Sequence, residues 1–328
     1  MTPSIHRLLF AGLATTALLA PAAAFAQAGA ATFPSKPIHI VVTFTTGGAP
    51  DILARLIGEK LQTNWGQPVI IDNRPGGNTV IGTEALLRAP ADGYTILMTS
   101  TSHVIIPSLL PVTFDALRDF SPIGMVASNA IVLAVHPSVP AANLKELIAL
   151  AKAKPQTLNY ASSGTGSINH LAGEIFDIEA GVKTQHVPYK GGGAAMNDLV
   201  GGQVQMSFAS AGVVPFVKSG KLRALAVTGS TRMQALPDVP TFAEGGLPGV
   251  NVNNWVGAFM AAQAPKPIVE KVAAMFARIL AMPDVKEKLG AQGIDIAFVG
   301  PDAFVVILRD DMAKYAKVIK AANIRMEN

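Results

Sequence analysis

Five times along this chain a short apolar strand runs into a loop of Gly, Ser, Thr and other small residues that opens a helix. The loops span 45–48, 99–102, 162–167, 190–193 and 209–212. This repeated unit constrains the fold most, because strands alternating with helices predict βα units around a parallel sheet. In an open α/β sheet such loops gather at the carboxyl ends of the strands, where ligands bind. A helix N-terminus leaves backbone N–H groups unpaired and carries partial positive charge, and small side chains let an anion approach them. Several neutral anion cradles with little fixed charge predict a protein that holds a small carboxylate reversibly.

The periodicity divides the chain into two blocks. Ile38–Phe44, Val69–Asp72 and Thr95–Met98 read as strands; Ile52, Leu53, Leu56, Ile57 and Leu61 recur at helical spacing, and Val80–Leu87 reads as a short helix. A second block starts at Ile131–Val135. Asn143 stands where a helix over Leu144–Ala153 needs its N-cap. Strand Leu158–Ala161 leads into a helix whose Ile168, Leu171, Ala172, Ile175 and Phe176 share one face. Strands Thr184–Val187, Val204–Phe208 and Leu222–Val227 follow, with helices Ala194–Val200 and Val213–Lys218 between them. Pro237–Gly249 reads as a connection, Trp255–Met260 as a strand, and Ile268–Leu280 and Asp302–Ala321 as helices. Extended segments near 128–135 and 250–260 join two similar lobes into a clamp. Lobe 1 comprises residues 27–127 plus about 250–328, and lobe 2 residues 128–249.

The first 26 residues read as a secretory signal peptide: His6 and Arg7, an apolar stretch from Leu8 to Leu19, a break at Pro21 and a cleavage site at Ala24-Phe25-Ala26. The stretch is shorter than the ~20 apolar residues of a spanning helix. Removing it lowers the net charge from +4 to +3, too mild and too scattered for nucleic acid or a membrane surface. The absence of Cys excludes disulfides, thiolate metal sites, a Cys nucleophile and a lipid tether at the mature N-terminus. Stability must therefore come from a core, and half of the residues are apolar while only 15% are charged.

Catalytic and cofactor motifs are missing. There is no Gly-x-Ser-x-Gly elbow, no His-Glu-x-x-His and no Walker A sequence. Asn169 stands where Gly164-Thr165-Gly166 would need the third Gly of a dinucleotide fingerprint. His170 and Glu174, four apart, suit helix-surface hydrogen bonding better than a metal site. No cofactor and no metal are expected, nor is an enzyme. Each loop alone also fits a tight βα turn, but runs of hydroxyls such as Ser162-Ser163 add donors that a turn does not require. Lys190 reads either as a ligand cation or as a solvated lysine, and Asp51 suits both the helix dipole and a ligand-facing role. Within the loop at 162–167, Gly166→Asp is expected to place a carboxylate in the ligand's space.

Six segments then occur in an order that resembles the Bug family, the periplasmic solute-binding proteins of tripartite tricarboxylate transporters. They begin with Phe44-Thr45-Thr46-Gly47-Gly48-Ala49-Pro50-Asp51 and Asp72-Asn73-Arg74-Pro75-Gly76. Tyr160 to Ser167 with His170-Leu171 follows, then Val187-Pro188-Tyr189-Lys190-Gly191, Gly220 to Thr228, and Pro237-Asp238-Val239-Pro240-Thr241. The resemblance implies a two-lobed type II periplasmic-binding-protein fold with the ligand in the cleft between lobes. It carries the ligand-binding positions onto Thr46, Gly47, Gly48 and Asp51; Thr101, Ser102 and His103; Ser162, Ser163, Gly164, Thr165, Gly166 and Ser167; and Tyr189, Lys190 and Gly191. Ala209 joins them from the fifth loop. The implied ligand is a small organic acid, a di- or tricarboxylate or an aromatic carboxylate. It would be captured in the periplasm by a monomer and delivered to membrane permease subunits. Presentation to a membrane sensor kinase and a secreted hydrolase are the alternative readings.

Overall fold

The computed structural model describes residues 32–292 and 294–326. The proposed signal peptide and its cleavage site lie outside them. The first half of the chain runs β1 Ile38–Val42, α1 Ala49–Trp65, β2 Val69–Asn73, α2 Val80–Arg88, β3 Thr95–Ser100, α3 Ser102–Ile105 and β4 Phe120–Ala130. Next come β5 Val132–Val135, α4 Leu144–Ala153, β6 Asn159–Ser162, α5 Ile168–Ala180, β7 Gln185–Pro188, α6 Gly192–Val200, β8 Met206–Ala209, α7 Val214–Lys218 and β9 Arg223–Val227. The chain closes with β10 Asn253–Ala261, α8 Lys266–Ala281, α9 Pro283–Ala291, β11 Ile296–Val299 and α10 Pro301–Ala321.

These strands form two sheets, one ordered β11-β4-β10-β3-β1-β2 and the other β7-β6-β8-β5-β9. The βα units are parallel as expected, β2 with β1 with β3 and β7 with β6 with β8. The sheets as wholes are mixed. β10 runs antiparallel to β3 and β4, β11 antiparallel to β4, and β5 antiparallel to β8 and β9. The reason is the double crossing: β4 leaves the first sheet for β5 in the second, and after β9 the chain returns to the first as β10.

β4 is the longest strand, yet its sequence hides it. Pro122 and Gly124 interrupt it, its burial does not alternate, and its pairing with β10 shifts register twice. β11 and α9 also escape the sequence patterns, since only Val285 and Leu289 of α9 are buried. Elsewhere local rules hold. Asn143 Oδ1 accepts from Glu146 N–H at 3.0 Å, and the Glu146 carboxylate reaches back to Ala142 N–H at 2.7 Å, a reciprocal cap on α4. Helices α1 and α5 end on Gly66 and Gly181 in the left-handed conformation.

One apolar cluster fills the first sheet's outer face, with Leu53, Ile57, Val272 and Phe276 at its centre. Another runs from the first lobe into the second, taking in Val104, Phe259 and Trp255 on one side and Leu133, Phe176 and Phe208 on the other. Helix α10 packs on β4 and α3 of the first lobe and on α5 of the second. It is anchored by Trp255 Nε1–H, which donates to Asp311 Oδ2 at 2.9 Å. Both lobes thus share a core on the hinge side and are open opposite it.

Candidate functional site

The carboxyl ends of the parallel strands in both sheets face one cleft of about 510 Å3. The first lobe contributes Phe44, Gly48, Ala49, Pro50, Ser100, Ser102, Asn129, Asn254, Val256, Gln292 and Ile294. The second contributes Ser163, Ser167, Ile168, Asn169, Gly192, Ser210, Ala211 and Gly212. Among the described residues, none in this wall is charged. The starts of α1, α5 and α6 lie here. Pro50 has no N–H, and the N–H groups of Asp51 and His170 bond Gly48 O and Ser167 Oγ, which leaves the first N–H groups, those of Ala49, Ile168, Asn169 and Gly192, to face outward. Together they supply positive potential without a buried cation, whose desolvation would cost several kcal/mol.

Of the residues expected at the site, Gly48, Ser102, Ser163 and Ser167 line this cleft, and Ser162 and Ala209 line an adjoining pocket. The others stand behind or beside it. Asp51 is 1% exposed and turned inward. Its carboxylate accepts from Gly47 N–H at 2.9 Å, Arg55 Nε at 3.0 Å and Asn73 Nδ2 at 2.9 Å. Burial works to raise its pKa, but these donors outweigh burial and hold it below the usual carboxylate value. Its role is to pin the loop that carries exposed Thr46 and Gly47. Thr101 is fully buried; its Oγ1 accepts from Trp255 N–H at 3.0 Å and donates to Asn253 O at 3.2 Å, fastening the first lobe to the returning strand.

His103 lies in the core between Phe120 and Phe259, with ring centroids 4.6 and 4.7 Å away. Its Nε2 bonds the carbonyl of Ala116 at 2.9 Å, which makes Nε2–H the donor, and its Nδ1 is buried without a partner. Burial pushes its pKa down to about 4. In the second lobe, Tyr189 donates through its hydroxyl to Asp198 at 2.7 Å, Lys190 is exposed, and half-buried Gly191 precedes α6. None of the three lines the cleft, and neither does Thr165 or Gly164. Gly166 points away from it: a Cβ there would stand 2.4 Å from Leu109 Cδ1, so an aspartate would not enter the ligand's space as the sequence suggested.

The cradle formed by residues 162–167 rests on a buried polar cluster that spacing alone did not reveal. His170 is not a surface residue; its ring stacks on that of His186 at 3.7 Å, nearly parallel. His170 Nδ1 accepts from Gly166 N–H at 3.1 Å, and Ser162 Oγ lies 2.6 Å from His186 Nε2. Burial first, and the neighbouring His170 second, lower the pKa of His186 to about 4. Burial works to raise that of Glu174, but bonds from His170 and from the Tyr160 hydroxyl, the latter 2.6 Å away, hold it below the usual value. The cleft residues missed in the sequence, among them Asn129, Asn254, Gln292 and Ile294, sit on elements that no Gly-Ser loop announces.

A neutral cleft between two α/β lobes, walled by helix starts from both, defines a two-lobed solute-binding protein of the periplasmic type. The chain belongs to the tripartite tricarboxylate transporter family receptors (TctC), whose family profile matches residues 53–324. BugT of Bordetella pertussis is 35% identical over 317 residues, 94% of this chain and 96% of BugT. Among solved structures, R. palustris Rpa4515 with adipate is 32% identical with a TM-score of 0.77, covering 89% of this chain and 99% of that one. MatC from Rhodopseudomonas palustris with bound malate is 29% identical with a TM-score of 0.73, covering 88% of this chain and all of that one. The Bug-family resemblance and the two-lobed fold are borne out.

Proposed function

We propose that this receptor captures a small organic carboxylate in the cleft and delivers it to a membrane permease, acting in the periplasm as a monomer after cleavage behind Ala26. The observation that carries this reading is the neutral, two-sided wall. Donors from Gly48–Ala49 in one lobe and from Ser167–Asn169, Gly192 and Ser210–Gly212 in the other surround a single space. Only an anion small enough to meet both sets gains from closure, and neutral donors hold it without the cost of a buried lysine or arginine. The adipate and malate held by the two relatives agree with an acid of this size. Affinity in the micromolar range, about −8 kcal/mol, is reasonable for several such donors.

Capture requires no covalent chemistry, so no residue is given a catalytic role. A thermal-shift screen across mono-, di- and tricarboxylates identifies the ligand, and small-angle scattering with and without it then reports closure. A smaller radius of gyration with ligand is expected. An unchanged radius, or no stabilising acid in the whole screen, rejects the reading.

A further inference from the structure

The cleft has an annex. A pocket of about 320 Å3 opens behind the second lobe's loops and shares Ser163, Asn169, Gly192, Ser210 and Gly212 with the main cleft. Its remaining wall includes Ala195, Met196 and Ala209. Apart from Ser210, the polar side chains of this wall are already engaged within the protein. Ser163 Oγ donates to Asn169 Oδ1 at 3.0 Å, Asn169 Nδ2 to Phe208 O at 2.5 Å, and Ser207 Oγ to Ala161 O at 2.9 Å. Ser162 Oγ is held between Gly164 and His186.

What the annex presents to a guest is therefore methyl, thioether and Cα surface, with no charge. The open donors, Gly192 N–H and the Ser210 hydroxyl, belong to residues shared with the main cleft. Glycine is not demanded by the backbone at 192, 193 or 212. None has a positive φ, and a Cβ at each would meet nothing within 4 Å. Their smallness keeps space open.

Beyond the reach of Gly192 and Ser210, a hydroxyl or second carboxylate carried into such a pocket loses its water and finds no free side-chain donor, a cost of roughly 1–3 kcal/mol for a neutral group and more for a charge. Apolar surface gains about 25 cal/mol per Å2 there. An apolar cavity of about 150 Å3 accepts benzene, so this one has room for a ring or a short alkyl chain. Building on the carboxylate reading above, we propose that the annex receives the uncharged body of the ligand. The preferred substrates are then monocarboxylates with an apolar body, aromatic or about five to six carbons long, in place of short hydroxylated di- or tricarboxylates.

Calorimetry with benzoate, hexanoate, malate and citrate tests this on the wild-type protein and on Gly193→Leu, which fills the annex from a helical position that leucine tolerates. Ala209→Val narrows it from the strand side, and melting curves check that both variants are folded. Benzoate or hexanoate is expected to bind wild type at least tenfold more tightly than malate or citrate. Each variant should weaken that acid tenfold or more while changing malate by less than threefold. Tighter binding of malate or citrate, or variants that affect all acids alike, overturns the annex while leaving the receptor reading intact. If none of the four acids binds, the annex and the carboxylate reading fall together.

Discussion

Ile131 and Thr228 bind each other twice at the edge of the second sheet, beside the crossing from β4 to β5. Ile131 N–H donates to Thr228 Oγ1 at 2.8 Å, and Thr228 N–H donates to Ile131 O at 2.9 Å. Both residues are fully buried. The clasp extends the antiparallel β5–β9 ladder one step beyond the Val132–Val227 pair and fixes the start of β5, just past the crossing from β4, to the end of β9.

Thr228→Val keeps the shape and removes one bond of the clasp, leaving a buried N–H without a partner. The expected loss is about 1–3 kcal/mol of stability, read from urea unfolding. Exposed Thr231→Val serves as the control and should change stability by less than about 0.5 kcal/mol.

Ser162 holds the cradle of the second lobe. Its Oγ donates to Gly164 O and accepts from Gly164 N–H, each at 3.1 Å, and it contacts His186. Ser162→Ala should lower stability by about 1 kcal/mol and weaken ligand binding by roughly tenfold, an energy of about 1.4 kcal/mol. Wild-type affinity in calorimetry would show that the loop holds its shape without this hydroxyl.

Gly166 has φ of +76°, and its Cβ direction runs into Leu109. Gly166→Ala and Gly166→Asp should therefore both destabilise the fold, by about 1–2 kcal/mol for the backbone conformation alone. Gly212→Ala, with ordinary φ and open space, should melt like wild type. Equal melting temperatures for all three would contradict the geometry.

Stability should fall in acid. His103 and His186 both titrate near 4 in the fold and near 6.5 when unfolded, so the unfolded chain takes up protons first. Their contribution is complete above about pH 6.5 and is lost as the pH falls toward 4, on the order of 3 kcal/mol for fully buried His103. Asp177, raised by burial to about 6, acts in the opposite sense, losing stability as the pH rises from 3.8 through 6. Melting at pH 7 and pH 5 should show the histidine slope. His103→Gln should flatten it even though the variant starts less stable.

Much of this architecture is legible in the residues themselves. The strand-loop-helix units, the Asn143 cap and the apolar face of α5 follow from backbone sterics and periodicity, which act over a few positions. The loops at 99–102, 162–167 and 209–212 were legible as small-residue turns that open helices for the same reason. Which of their groups face the cleft was not. Thr101 belongs to such a loop and His103 follows it in α3, yet their side chains turn inward, because Trp255 and Phe259 arrive there from the distant returning strand. Asn254, Gln292 and Ile294 reach the cleft by that same return. Local sequence determines where the chain bends and what it can donate. The double crossing between sheets decides which donors end up facing each other, since that depends on contacts between segments far apart in the chain.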